Sequence, residues 1–393
     1  MNERERKRDC EEIGHEPEEC SRTAGISRRT FIKASAAAIA VTAAGVPVSS
    51  GEDDLKAVEA RYYKKLENED IQCLLCPKEC HVGDRERGYC GVRENREGSY
   101  YTLVYGQPCA LHLDPIEKKP FFHVLPGTTS LSLSTVGCNM ECKFCQNWQI
   151  SQSRPEQVKT RYTPPGDIVK QAIALRSPSI AYTYGEPVVF IEYMQDIARL
   201  ARQEDIKSVV VTGGYINKEP LRDLCRVVDA IKVDLKAFEE SYYHDICSSE
   251  LRPVLDTIEI IRAEGIWLEI VYLMVPTLND DPAIIRRMAR WLIANAGADV
   301  PIHFSRFFPH YRLRNIPPTP ISSLEKAYDI CREEGLQFVY VGNVPQHKTE
   351  NTYCPSCSKK IISRRGYHIL NLDIIKGQCR FCGEKIPGIW QEG

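Results

Sequence analysis

Three cysteines, Cys138, Cys142 and Cys145, stand in the run Gly137-Cys-Asn-Met-Glu-Cys-Lys-Phe-Cys-Gln-Asn-Trp148, a C-x3-C-x2-C loop. Such close spacing suits a metal centre better than a disulfide framework. Three thiolates are one short of the four that close a [4Fe–4S] cubane, so the loop can wrap one corner and leave the fourth iron open to a ligand. An open iron in a dry pocket suits one-electron chemistry, in which the cofactor breaks the bond and the protein supplies position and exclusion of water. A three-cysteine zinc site completed by histidine is the alternative, but no histidine lies between His123 and His244. Further along, Tyr182-Thr-Tyr-Gly-Glu-Pro187 places the Glu186 carboxylate where it can accept hydrogen bonds from an amine or ammonium group. Lys232-Val-Asp-Leu-Lys236 aims Asp234 and Lys236 to one face of a strand. They form either a charged pair in a desolvated cavity or a salt bridge at the rim.

These groups need a scaffold, and the hydrophobic pattern supplies one. From about residue 125, short apolar runs alternate with amphipathic ones, the signature of βα units and a parallel sheet. Strands are expected at 130–136, 179–184, 207–212, 229–235, 267–275, 301–307 and 336–341. Helices are expected near 166–176, 188–203, 219–227, 251–264, 281–295 and 322–334. Asp281-Pro282 starts one helix and Gly297 follows its end; Ser322 with Glu325 reads as a capping box closed by Gly335. Six or seven such units suggest an α/β barrel or partial barrel with its chemistry at the C-terminal strand ends. The cluster loop follows the first strand and Glu186 ends the second, so both reach that end. A Rossmann-type open sheet is the alternative, but no glycine fingerprint follows the first strand.

Two further cysteine sets flank this core. Cys354, Cys357, Cys379 and Cys382 form two C-x2-C knuckles with zinc-ribbon spacing, a structural zinc site in a segment too small for its own core. Rubredoxin-like iron would use the same ligands. Cys73, Cys76, Cys80 and Cys90 make another four-thiolate set, which spacing leaves open between an auxiliary iron–sulfur cluster and zinc, with disulfides a third option. Segments 52–125 and 346–393 are therefore expected to be a four-cysteine extension and a zinc-ribbon-like module around a core at 126–345.

The remaining composition excludes more than it assigns. The 393 residues carry a net charge of −2, so no basic field for nucleic acid is expected. Six of the 17 cysteines, including Cys247, are scattered and read as small buried hydrophobes. Residues 27–33, Ser-Arg-Arg-Thr-Phe-Ile-Lys, precede the weakly apolar run 34–50, matching a twin-arginine signal; a charged disordered leader is the alternative. The run is too short and interrupted to span a bilayer, and residues 1–51 are set apart from the fold. Export to the periplasm or cell exterior then stands against the cytoplasmic supply of cofactor and electrons.

The combination of motifs resembles one enzyme family. Asp114-Pro-Ile-Glu-Lys-Lys-Pro120, Cys145-Gln-Asn-Trp148, Gly213-Gly-Tyr-Ile-Asn-Lys-Glu-Pro220, His303-Phe-Ser-Arg-Phe307 and Ile386-Pro-Gly-Ile-Trp390 are similar to the AmmeMemoRadiSam system radical SAM enzymes, within the pyruvate formate-lyase activating enzyme-like radical S-adenosylmethionine group. The resemblance runs from about residue 71 to the end. It implies a partial (β/α)6 barrel with Cys138, Cys142 and Cys145 on the cluster and Phe144 as the aromatic beside it. It also implies that Tyr184, Gly185 and Glu186 hold the methionyl group of S-adenosylmethionine, and that Asp234, Lys236 and His303, with Arg306, face cofactor or substrate. The implied reaction is reductive cleavage of S-adenosylmethionine to a 5′-deoxyadenosyl radical, which takes hydrogen from a substrate. Implied partners are a low-potential electron donor and Memo-family and AMMECR-family proteins. Glycyl-radical activases carry Asp-Thr-Asn-Gly where this chain reads Val211-Thr-Gly-Gly214, and an arginine on the fifth strand where it has none. Activase function is thus the first alternative, and a non-catalytic exported iron–sulfur electron carrier the second.

Overall fold

The computed structural model describes residues 57–344 and 347–391; the leader-like segment 1–51 lies outside them. Its centre is an eight-stranded sheet in sequential order: β1 (Ala110–Pro115), β2 (Thr129–Ser134), β3 (Ser179–Tyr182), β4 (Lys207–Thr212), β5 (Ala230–Asp234), β6 (Trp267–Met274), β7 (Ile302–Arg306) and β8 (Val339–Gly342). Strands β2 to β8 are parallel, and β1 pairs antiparallel with β2. The parallel strands are joined by α1 (Pro165–Ala174), α2 (Ile191–Gln203), α3 (Lys218–Cys225), α4 (Leu251–Ala263), α5 (Pro282–Ala296) and α6 (Ile321–Glu334). Runs such as Ser130–Ser134 and Ser179–Tyr182 are buried on both faces, as parallel strands covered by crossovers must be. This is the α/β architecture expected from the alternating pattern.

Helix ends follow their capping chemistry with one exception. Asp281 accepts hydrogen bonds from the N–H groups of Ala283 and Ile284, and Gly297 and Gly335 close α5 and α6 at φ +93° and +110°. The box expected from Ser322 and Glu325 does not form. Pro320, at φ −59°, starts α6 at Ile321, so Ser322 falls inside the first turn.

The flanking segments are less separate than composition suggests. Residues 110–115, assigned above to the four-cysteine extension, form the edge strand of the central sheet. The rest of that extension folds as two three-stranded sheets, and its Ile71, Val82, Val92 and Tyr100 join the main hydrophobic core. The buried Arg93–Glu192 ion pair ties it to α2. At the other end, the hairpin β9 (Lys360–Arg365) and β10 (His368–Leu372) belongs to a second core, in which Ile361, Ile362 and Ile386 meet Phe122, Phe338 and Tyr340. Arg364 lies 4.1 Å over the Phe122 ring and donates to its carbonyl. No helix among the described residues is long and apolar enough to cross a membrane.

Candidate active site

The C-terminal ends of the six parallel strands β3 to β8 border one cavity of about 950 Å³. The cluster loop enters it directly after β2. Gly137 turns the chain at φ +96°, and a β-carbon there would lie 2.6 Å from Val92 and 3.1 Å from the Cys90 carbonyl, so only glycine fits. Cys138, Cys142, Phe144 and Cys145 all line the cavity. Met140 N–H points at Cys138 Sγ (3.4 Å), and Ser151 Oγ is 3.2 Å from Cys145 Sγ. The neighbouring Cys247, and then the charge of Lys236, draw the Cys142 thiol below its ordinary value; Cys247 itself is buried in the core, as expected. Among the described residues, only the C-terminal cysteine set brings three or more such ligand atoms within 4.8 Å of one another. The loop offers three thiolates, one short of a cubane's four, a donor set that fits a multi-iron cluster with one corner open.

Glu186 is held beside this loop. Its carboxylate accepts from Thr212 Oγ1 (2.6 Å), Gly213 N (2.8 Å) and Val188 N (3.1 Å). Burial pushes its pKa up, against the pull of these donors and of Lys236. A β-carbon at Gly213 would lie 2.8 Å from Met140 Sδ and 3.3 Å from the carboxylate, so this glycine lets Glu186 and the cluster loop approach. The Thr212-Gly213 pair, read from sequence as a departure from the activases, is the mount for Glu186.

Below lies a charged triad rather than a pair. Asp234 contacts Lys232 Nζ (2.9 Å) and Lys236 Nζ (2.8 Å), and all three line the cavity. Burial alone would raise the Asp234 carboxyl, but the two ammoniums hold it well below the carboxylate range. Burial lowers Lys232, whereas Asp234 and then Cys142 carry Lys236 above its usual value despite burial. Asp234 and Lys236 thus line the cavity, with 28% and 14% of their side chains exposed. Lys236 Nζ sits 5.9 Å from the Phe144 ring centroid.

Tyr184 and Gly185 also line this space, and the Tyr184 side chain turns toward β1. Its hydroxyl donates to Asp114, Lys119 Nζ lies 4.3 Å over its ring, and its carbonyl accepts from Asn147. Burial pulls the Lys119 ammonium down to about 8, against the upward pull of Asp114. His303 lines the far wall with Nε2 bonded to Glu269 (2.7 Å). Burial lowers His303, while His303, His123 and the Phe122 N–H hold Glu269 at about 2 against its own burial. The pair is a buried imidazole hydrogen-bonded to a buried carboxylate. Arg306 is not among the lining residues; its Nε donates to the Thr319 carbonyl. Lys119, Lys232, Asp114 and Thr212 were not singled out as site residues from sequence. For Lys119 and Asp114 the available signal was the shared Asp-Pro-Ile-Glu-Lys-Lys-Pro run.

The flanking cysteines occupy two other places. In the C-terminal module, Cys354 Sγ lies 3.6 Å from Cys382 Sγ, and Cys357 Sγ 3.8 Å from Cys379 Sγ, a four-thiol metal site. Cys73, Cys76, Cys80 and Cys90 line a second, small space behind the cluster loop.

Comparisons with known proteins agree with this geometry. The Radical SAM superfamily model matches residues 132–288, and the twin-arginine translocation pathway signal model matches residues 25–45, in the segment outside the described structure. Uncharacterized protein MJ0808 of Methanocaldococcus jannaschii is 44% identical over 330 residues, covering 84% of this chain and 98% of that one. Pyruvate formate-lyase 1-activating enzyme of Escherichia coli is 20% identical over 225 residues, covering 52% of this chain and 89% of that enzyme. A radical SAM methyltransferase structure from Sphaerobacter thermophilus aligns at a TM-score of 0.45 and 18% identity, covering 55% of this chain and 66% of that one. With its open three-cysteine loop at the strand ends and a family model spanning that loop, the chain belongs to the radical SAM superfamily.

Proposed function

We propose that this protein is an AmmeMemoRadiSam-type radical enzyme that cleaves S-adenosylmethionine and abstracts hydrogen from a substrate seated in the 950 Å³ cavity. One observation carries the reading: the Cys138, Cys142 and Cys145 loop and the Thr212- and Gly213-mounted Glu186 line the same cavity. A [4Fe–4S] cluster with one open iron supplies the electron that breaks the sulfonium bond and yields a 5′-deoxyadenosyl radical. The three cysteines would hold that cluster, while Glu186 and the Tyr184–Gly185 backbone hold the methionyl amine. Lys232, Asp234 and Lys236 keep a fixed, desolvated charge array against the loop, and Phe144 and His303 wall the site from water. The sheet forms a partial (β/α)6 barrel around this chamber. The C-terminal thiols hold zinc, since sulfur separations of 3.6 and 3.8 Å match a tetrahedron with Zn–S bonds of about 2.3 Å. The twin-arginine leader supports export of a chain already folded around its metals, and a low-potential donor with Memo- and AMMECR-family proteins are its partners.

Anaerobic reconstitution followed by dithionite reduction tests the reading: 5′-deoxyadenosine should form from S-adenosylmethionine, and Cys142→Ala should abolish it. No product from a cluster-loaded protein would make it a non-catalytic iron–sulfur protein. Glycyl-radical activation is the second reading, favoured by the similarity to pyruvate formate-lyase 1-activating enzyme. Against it, β6 turns Val271 and Leu273, not a basic residue, toward the cavity. A glycine-centred EPR signal on mixing with a candidate partner would favour activation.

A further inference from the structure

The small space behind the cluster loop is lined by Cys73, Cys76, Cys80 and Cys90 together with Arg93 and Tyr100. All four cysteines are free thiols, which sets the disulfide option aside. Zinc and iron–sulfur clusters differ in how far apart they hold such thiols. A single zinc ion draws four sulfurs to roughly 3.8 Å of one another, because each Zn–S bond is only about 2.3 Å. Around a polynuclear cluster the farther-apart thiolates stand roughly 6 Å from one another, because two or four irons lie between them. The chain carries its own yardstick. The C-terminal set meets the close criterion, its four ligand atoms lying within 4.8 Å of one another, and it is the one such group found among the described residues.

The lining chemistry points the same way. Tyr100 is fully buried and Arg93 is 1% exposed, yet the Tyr100 hydroxyl and Arg93 Nε have no hydrogen-bond partner. Both are donors, and unsatisfied buried donors are costly unless a ligand accepts from them. The bridging sulfides of a cluster are such acceptors, and hydrogen bonds to cluster sulfur are a recognised control of its potential. Tyr89 N–H already points at Cys80 Sγ (3.3 Å). The Arg93 guanidinium, ion-paired with Glu192 through its NH1 and NH2 groups, leaves its Nε free to donate into this space.

The space lies back to back with the catalytic loop. Asn139, next to Cys138, lines it, and Gly137 packs against the Cys90 carbonyl. We propose that Cys73, Cys76, Cys80 and Cys90 hold a second iron–sulfur cluster that relays single electrons to the catalytic one. An external low-potential one-electron protein donor reduces the second cluster by one electron. That electron then crosses to the cluster at Cys138, so the relay is reoxidised as its neighbour is reduced, and no bond or proton moves. Cluster binding stands apart from the proposed function, and only the relay role rests on it.

The test uses the full chain, reconstituted anaerobically with iron and sulfide. The Cys138→Ala/Cys142→Ala/Cys145→Ala variant should retain two to four irons with matching acid-labile sulfide, and an EPR signal should appear on reduction or oxidation. Zinc at the N-terminal set, iron without sulfide, or no metal beyond the C-terminal site would overturn the assignment. For the relay, 5′-deoxyadenosine yield driven by photoreduced flavodoxin is divided by the yield driven by dithionite, which can reach the catalytic cluster directly. Cys76→Ser/Cys90→Ser should lower that ratio at least tenfold, and an unchanged ratio would overturn the relay. A wild-type chain that makes no 5′-deoxyadenosine but keeps both clusters would defeat the proposed function alone.

Discussion

Replacing Thr212 by valine preserves the side-chain shape and removes one hydroxyl, the one 2.6 Å from Glu186 Oε1. Two donors to the carboxylate then remain, Gly213 N and Val188 N. A hydrogen bond to a charged group contributes about 1.5–3 kcal/mol, and one pKa unit corresponds to about 1.4 kcal/mol. Glu186 already titrates above its ordinary value because it is buried. Loss of the hydroxyl should raise it by a further one to two units. If ionised Glu186 holds the cofactor amine, binding of S-adenosylmethionine should weaken by about tenfold or more at pH values below the titration of the wild-type carboxyl. The deficit should narrow as pH rises, because deprotonation restores the carboxylate in the variant too. Equilibrium dialysis on anaerobically reconstituted protein, from mildly acidic to alkaline pH, measures both effects. Undiminished affinity at every pH, with full iron content, would show that Glu186 does not bind the amine as its ionised form.

Asp234→Asn leaves Lys232 and Lys236 buried without their shared counter-charge and should destabilise the fold by about 3 kcal/mol, read from urea unfolding. His123 is buried and neutral, its pKa lowered to about 4 by burial. Between the unfolded value of 6.5 and that value the unfolded chain binds the extra proton, so stability should fall with pH by up to about 3 kcal/mol. Melting temperature against pH should show this slope, and His123→Asn should flatten it. Chelation of the C-terminal metal should release the β9–β10 hairpin to proteolysis while α1 to α6 stay protected, as mapped by mass spectrometry of the fragments.

The sequence was most informative where one physical signal dominates. β4 falls at 207–212 as expected, because its apolar run has a strand's length between polar borders, and Asp281-Pro282 starts α5 through a local hydrogen bond. The cluster loop is legible because three ligands sit within eight residues. β1 was missed as part of the sheet because, as an edge strand, it exposes His112 and Leu113 and lacks a buried strand's pattern. Thr212 and Lys119 escaped for another reason. Their partners, Glu186 and Asp114 with Tyr184, meet them only after folding, and neither residue type announces a site alone. The Ser322–Glu325 box failed because a proline two residues earlier set the helix start first.

The turn between β9 and β10 places Gly366 and Tyr367 on the cavity wall beside Glu350, whose carboxylate receives the Gly366 N–H. These residues follow the cluster loop by more than two hundred positions, so the ribosome adds them after it. A nascent or truncated chain can therefore present its cysteines to iron with one side of the chamber missing. Only a chain extended through this hairpin bounds the chamber on that side, so the order of synthesis makes the cluster ligands available before their shield exists.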